Sequence, residues 1–373
     1  MLRAHGMGRR RGILLGLASH LRRDMRIAII TECPEGVGST YFRALQHVER
    51  LEQRGAKVDL FVPDTVAHRM PGQVGRVLYF GEHAIRYLRQ GLRLRKRLPE
   101  YDAVFVQRGG YPMGPAWVVT ALQRFPGRVV LDLDDNVFVT SPRLATKSRA
   151  ARWLYGAQQA RYLVRRADAL VVSVPELDRS VPGRSADFVL PSVPDVSDYP
   201  TITHRQRAPV RVGWVGNPGN LIYLDFLRDV FERLRSENVA VLEVLCPEPW
   251  DGPAMHRPWR REDEVAALAS YDIGIMPLPD TPYTRAKAGL KMLLYMGVGS
   301  AVITSPVGIN VELVENSGGG ILAGSAEEWE AALRRLAGDA ALRKSLGSAG
   351  QQFMRSYADM DAQADTLMSA LRG

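Results

Sequence analysis

The sequence predicts an α/β protein built from two doubly wound, Rossmann-like domains facing a central cleft, and three observations predict it. From Met25 onward, short β-branched runs alternate with helical stripes, the pattern of parallel strands covered on both faces. The alternation breaks once, in the stretch Leu190 to Pro209 that contains Pro191, Pro194 and Pro200, and resumes at Val210. The length, 373 residues, accommodates two cores at roughly 100–200 residues per domain.

The first half has candidate strands at Arg26 to Ile30, Val58 to Val62, Ala103 to Val106, Val129 to Leu133 and Ala169 to Val174. Between the first two, Ala44, Leu45, Val48 and Leu51 recur at helical spacing until Gly55 stops the helix, which makes a βαβ unit. Its turn, Pro34 to Thr40, has glycines between strand and helix but lacks the full GxGxxG fingerprint. It fits a ligand-binding loop or a turn built for backbone geometry equally well. The second half starts with strand Val210 to Val215, followed by a helical stripe at Tyr223, Leu227, Val230 and Leu234. Strands at Ala240 to Leu245, Asp272 to Met276 and Ala301 to Thr304 follow, with helices around Glu262 to Ser270 and Leu290 to Met296. The reading divides the chain into a basic leader outside the fold (1–24), an N-terminal Rossmann-like domain (25–196), a linker (197–208) and a C-terminal Rossmann-like domain (209–350). A last helix (351–373) has the length to return to the N-terminal domain.

Hydrophobic residues make up 46% and charged residues 24%, which excludes a disordered or collagen-like chain. The net charge is +9, and +5 of it lies in the first 24 residues, where six arginines face one acid. The apolar run Ile13 to Ala18 is too short for a signal-peptide core, and no stretch reaches the roughly 18 apolar residues that span a bilayer. Cys33 and Cys246 form neither a disulfide framework nor a four-ligand zinc site, so a reducing, cytoplasmic setting is expected. No histidine cluster and no GxSxG elbow are present, which leaves zinc and serine-hydrolase chemistry without support.

The most informative residues lie between Asp272 and Asn310. Lys287 and Lys291 are four apart, so a helix starting near Ala288 would place both ammonium groups on one face at its positive end, a site for a diphosphate. Pro306-Val307-Gly308-Ile309-Asn310 leads from a strand into the helix that carries Glu312, with free backbone N–H groups at its start. The loop from Gly216 and Asn217 to Asn220 would close the other side of the diphosphate. In the first half, Gln107 and Arg108 end one strand and Asp132, Asp134 and Asp135 end the next. The acids fit either a cleft edge that orients a ligand hydroxyl or a helix cap, with a metal site the less favoured reading of their Asp-x-Asp spacing, and Arg108 fits either a ligand contact or a salt bridge with Asp134 or Asp135. Trp259 fits a place beside a nucleotide base or in the core. Residues 83–98 carry Arg86, Arg89, Arg93, Arg95, Lys96 and Arg97 among Ile85, Leu88, Leu92 and Leu94, a pattern shared by peripheral membrane helices and ordinary solvated ones; no nucleic-acid motif accompanies the charge.

These motifs resemble the retaining GT-B glycosyltransferases of glycosyltransferase family 4. The resemblance rests on the GWVG of Gly213 to Gly216, the DLDDN of Asp132 to Asn136, the paired lysines, Tyr295-Met296 with Gly299, and Ser305-Pro-Val-Gly-Ile-Asn310. It runs over nearly the whole chain from Met25 and implies metal-independent transfer of a sugar, with retention, from a nucleotide-diphosphate sugar to a hydroxyl acceptor, with no cofactor. Lys287, Lys291, Arg108 and Asp134 are then the catalytic candidates. Gly216, Asn217, Ser305, Val307, Gly308, Asn310 and Glu312 would bind the donor, and Gly38, Ser39, Arg43 and Asp135 the acceptor. The chain departs from the family where two glutamates are usual, since those positions fall on Ala286 and Leu294, and where an arginine is common, at Asn217. Two other readings stay open: a nucleotide-sugar epimerase of the same architecture, and a silent sugar-nucleotide-binding protein.

Overall fold

A computed structural model describes residues 24–63, 85, 89–109, 115–139 and 158–373. The basic leader up to residue 23, Gly110 and five positions of the basic segment 83–98 lie outside the described residues.

The chain forms two six-stranded, wholly parallel sheets. The first runs in the order β2-β1-β3-β4-β5-β6, from β1 (Met25–Ile30), β2 (Ala56–Phe61), β3 (Ala103–Gln107), β4 (Arg128–Leu133), β5 (Ala169–Val172) and β6 (Phe188–Val189). The second runs β12-β11-β10-β7-β8-β9, from β7 (Val210–Val215), β8 (Ala240–Leu245), β9 (Ala254–Arg257), β10 (Ile273–Met276), β11 (Ala301–Thr304) and β12 (Gly320–Leu322). This is the GT-B architecture. The central strands are buried on both faces, which is why they read as continuous Val, Ile and Leu runs. The outer strands β6, β9 and β12 escape sequence reading because each is short and only partly buried, so neither an apolar run nor strict alternation marks it.

Helices on the first half are α1 (Gly38–Arg43), α2 (Val48–Gln53), α3 (residues 89–97), α4 (Pro115–Leu122), α5 (Gln158–Arg166) and α6 (Pro175–Arg179). On the second half they are α7 (Arg228–Ser236), α8 (Glu264–Leu268), α9 (Pro282–Arg285), α10 (Leu290–Val298), α11 (Ile309–Ser317), α12 (Ala326–Gly338) and α13 (Ala340–Tyr357). The expected loop from Gly216 to Asn220 holds only to Asn217, because Pro218–Leu227 is a 3-10 helix. The last helix divides in two, α13 ending at Tyr357 and α14 (Met360–Arg372) starting from an Asp359 cap. Leu367, Met368, Ala370 and Leu371 of α14 bury themselves among Ile27, Phe105, Val130 and Val171 of the first sheet. At about 1.5–3 kcal/mol for each large apolar side chain removed from water, this contact fastens the end of the chain to the first half. Among the described residues, no helix is long and apolar enough to cross a membrane.

The two halves meet directly. Ala286 sits in the core cluster of the first sheet, while Phe42 and Val193 join Leu278, Met292 and Leu293 in a cluster of the second. The segments beyond the carboxyl ends of β1, β3, β4, β7 and β11 supply the residues described next, the edge at which ligands of open α/β sheets bind.

Candidate active site

Lys291 is the second residue of α10, which begins at Leu290 behind a left-handed Gly289, two residues after Ala288. Lys287 therefore precedes the helix, and the two lysines approach each other across its N-terminus instead of lining one helical face. Lys291, in the first turn, opposes the helix dipole and has no carboxylate partner among the described residues, so its charge is unfavourable there until an anion joins it. Each ammonium lies over an aromatic ring: Lys291 Nζ is 4.3 Å from the Trp214 ring centroid and Lys287 Nζ 4.7 Å from that of Tyr283. Burial, with the Lys287 charge adding to it, pulls the Lys291 pKa down to about 7. Gly216 is required beside it, because a Cβ there would lie 2.9 Å from Lys291 Nζ and 2.6 Å from the Trp214 ring.

The Gly308 turn forms a second wall. Gly308 has φ +57° and faces the Arg285 carbonyl so closely that a Cβ would come within 2.2 Å of it. The N–H groups of Gly308 and Ile309, at the start of α11, have no protein acceptor among the described residues. Thr281 and Thr284 form a capping box that starts α9 and holds Arg285 against this turn. Ser305 and Asn310 shape the loop from within: Ser305 Oγ accepts the Leu278 N–H at 3.0 Å, and Asn310 Nδ2 donates to Thr304 Oγ1 at 2.7 Å. Both side chains are enclosed, as is Val307, whereas Glu312 and Asn217 are exposed.

Across from the lysines, Arg108 occupies a left-handed conformation (φ +57°) at the end of β3. Its guanidinium donates to both oxygens of Asp134, to Asp135 at 3.1 Å and to Glu32 at 3.1 Å. Burial works against its charge, yet the Asp134, Asp135 and Glu32 carboxylates together raise its pKa well above the usual value. Burial would raise the Asp134 pKa, but Arg108 outweighs it and holds Asp134 below the usual carboxylate range. Glu32, whose burial outweighs the same arginine, is shifted up. A backbone strained in this way and surrounded by three acids is typical of a site the fold over-determines. Lys287 Nζ stands 3.7 Å from Asp135 Oδ1, so one ion pair ties the lysines of the second half to the acids of the first.

Of the expected site residues, the structure thus gathers Lys287, Lys291, Gly216, Arg108, Asp134 and Asp135 in a connected group, with Gly308 on the adjoining loop. Arg43 is a correction. It is fully enclosed and makes a two-pronged pair with Asp132, together with hydrogen bonds to the Leu190 carbonyl and Ser192 Oγ, so it is spent on the core and presents nothing to an acceptor. Gly38 and Ser39 open the short α1 and are partly exposed. Trp259 packs against the core cluster of the second half, with its Nε1 donating to Glu264 at 2.9 Å. Ala286 and Leu294 are buried in apolar clusters, so these positions offer no carboxylate to a ribose. Glu32, Tyr283 and Trp214 are functional candidates that motif reading passed over as side chains. For Glu32, its place just past the first strand of a doubly wound sheet was the available signal.

No protein-family model and no curated protein matches the sequence of this chain. Solved structures match its fold over nearly its whole length. Sucrose-phosphate synthase from Thermosynechococcus elongatus aligns with TM-score 0.69 at 16% identity, covering 93% of this chain and 98% of that one. Anabaena HepE, in complex with UDP and glucose, aligns with TM-score 0.66 at 15% identity over 93% and 99%. An alpha-glucosyltransferase in complex with UDP and a 13-mer DNA aligns with TM-score 0.64 at 14% identity over 94% and 100%. At these identities, the likeness establishes the shared GT-B fold.

Proposed function

We propose that this protein is a glycosyltransferase that moves a hexosyl group from a nucleotide-diphosphate sugar to a hydroxyl acceptor, with retention of configuration and without a metal, in the cytoplasm. The observation that carries the reading is the pair Lys287 and Lys291 beside the start of α10, each held on an aromatic face, with Lys291 in the first turn where the helix dipole disfavours it. A diphosphate is the ligand that makes this arrangement favourable, and the similar folds, two of them solved with UDP, support a nucleotide donor. Retention belongs to the reading because the donor loop resembles that of retaining enzymes. Two free cysteines suit a reducing compartment.

When the glycosidic bond breaks, negative charge grows on the β-phosphate. Lys287, Lys291 and the N–H groups of Gly308 and Ile309 are the groups that would meet it, with Lys287 released from Asp135 as the phosphate arrives. Arg108, held by its carboxylates, faces the donor from the first half, and Asp134 and Asp135 orient the acceptor hydroxyl beside it, with Gly38 and Ser39 at the edge. Tyr283 and Trp214 keep the lysines aimed and exclude water from one side of each. No nucleophile from the protein is required in this scheme.

The test is a panel of UDP-, GDP-, ADP- and TDP-sugars scored for nucleotide release, with and without a cell extract as acceptor source. Release from one donor class that rises with extract is the expected result. Tight nucleotide binding with no release from any donor identifies a silent binder instead, and conversion of the donor to a second nucleotide sugar identifies an epimerase.

A further inference from the structure

The positive charge of the chain outside its first 24 residues is concentrated in one place. Residues 83–98 hold six cations and no acid, so they alone carry +6, and the remainder of residues 25–373 is at −2. Helix α3 displays part of this segment. Leu94 and Leu98 are buried in the core of the first half, and two polar contacts fix the helix beside the edge strand: Gln90 Nε2 donates to the Val62 carbonyl at 2.8 Å, and Arg97 pairs with Asp59 at 2.7 Å. The opposite face is open. Arg89, Leu92, Arg93 and Lys96 follow the three- and four-residue spacing of a single helical face and all are exposed, Leu92 by 58%. Ile85, seven positions before Leu92 in the sequence, is 54% exposed. Unlike Arg97, none of Arg89, Arg93, Arg95 and Lys96 has an acidic partner among the described residues.

We propose that this face docks on an anionic lipid bilayer, with Leu92 and Ile85 entering the headgroup boundary and Arg89, Arg93, Arg95 and Lys96 meeting lipid phosphates. Large apolar side chains at the centre of a cationic ring match a surface that is charged outside and apolar beneath. A nucleic-acid groove or backbone would match the cations alone and leave Leu92 in water. Because Gln90 reaches the chain just past the carboxyl end of β2, the N-terminal end of α3 lies at the sheet edge that carries Glu32, Arg108 and Asp134. Docking through α3 therefore brings the candidate site toward the membrane. The inference does not depend on the transfer chemistry proposed above, since it reads lipid binding alone.

The experiment is co-sedimentation of the full chain with phosphatidylcholine vesicles with and without phosphatidylglycerol, at low and high salt. The variants are the triple Arg89→Ala, Arg93→Ala, Lys96→Ala, the single Leu92→Ser, and a chain lacking residues 1–23 as a control for the basic leader. The expected result is binding to the anionic vesicles only, weakened by salt. At about fivefold per basic residue, the triple variant loses roughly a hundredfold. Leu92→Ser loses about tenfold or more, through its lost apolar burial. Both helix variants are expected to keep the wild-type melting temperature, because the altered side chains are exposed. Absence of vesicle binding, or binding that survives both sets of helix substitutions and disappears only with residues 1–23, overturns the proposal. So does a triple variant that loses affinity for duplex DNA while Leu92→Ser leaves vesicle binding unchanged, which would assign the face to a nucleic acid.

Discussion

Lys291 combines every feature that makes a charge expensive: partial burial, a cationic neighbour and the positive end of a helix. Without a ligand these costs outweigh its contact with the Trp214 ring, so two opposite outcomes follow from its replacement. Lys291→Ala and Lys287→Ala each lower turnover by about tenfold or more through lost stabilisation of the leaving group, measured by nucleotide release. Lys291→Met, in contrast, raises the melting temperature. In the folded state the Lys291 pKa is about 7, against an ordinary lysine near 10.5 when unfolded. The unfolded chain therefore binds the extra proton between those pH values, so wild-type stability rises with pH across that window, and its deficit relative to Lys291→Met is greatest below pH 7. A gain of about 1 kcal/mol corresponds to roughly 2–4 °C in a domain of this size, read by calorimetry at pH 6. Donor binding runs the other way with pH. It needs the ammonium form, so affinity for a nucleotide sugar declines as pH climbs through 7, by up to about tenfold per unit. Titration calorimetry with the intact nucleotide sugar, whose diphosphate diester does not itself titrate there, checks this. Legibility at this scale followed sequence distance. The lysines and Gly308 stand in local motifs that name them, but nothing near Arg43 reveals that Asp132 lies against it. Likewise, Glu32 becomes a site residue only when β3 and β4 bring Arg108 and Asp134 beside it.

At the scale of elements, the site is a set of strand ends and helix starts, each held by an identifiable contact. The turn into α11 is the most tightly specified, with Gly308 at positive φ and no room for a Cβ against Arg285. Gly308→Ala displaces either that turn or α9, and is expected to weaken donor binding at least about tenfold while costing roughly 1–3 kcal/mol of stability, measured by nucleotide titration and urea unfolding. By comparison, Arg43→Ala leaves a buried Asp132 without its partner and lowers stability by about 3–5 kcal/mol, while the nucleotide affinity of the remaining folded protein stays near wild type. That difference separates a core ion pair from a ligand contact. The central strands were legible because burial on both faces turns them into uninterrupted apolar runs. The helix around Leu290 to Met296 was legible as well, but not that its boundary leaves Lys287 outside it, because Ala288 is an excellent helix former while the start is set by Gly289 in a left-handed conformation. The 3-10 turn after Asn217 was hidden for a related reason, since its apolar residues carry a helical stripe that does not distinguish the two helix types.

For the molecule as a whole, the two sheets are joined by apolar contacts through Phe42, Val193 and Ala286, by Arg261 lying 3.6 Å over the Tyr41 ring, and by the Lys287–Asp135 pair. The two-domain plan was plain in the sequence, because the proline-rich break at Leu190 to Pro209 separates two independent series of strand and helix patterns. Where α14 docks was not, since an amphipathic helix states that it has a partner without naming it; the cluster around Leu367 and Leu371 supplies the name. The Lys287–Asp135 pair gives the whole arrangement a mechanical consequence: a diphosphate that takes Lys287 exchanges that partner, so ligand and domain contact compete for one ammonium. The central claim, that the two lysines at the start of α10 hold the donor diphosphate, is tested most directly by calorimetric titration of nucleoside diphosphates into the wild type, Lys287→Ala and Lys291→Ala, with folding of each verified by its melting curve. The expected result is measurable affinity in the wild type for at least one nucleoside diphosphate, reduced at least about tenfold in both variants. Wild-type affinity retained in both folded variants would contradict the account.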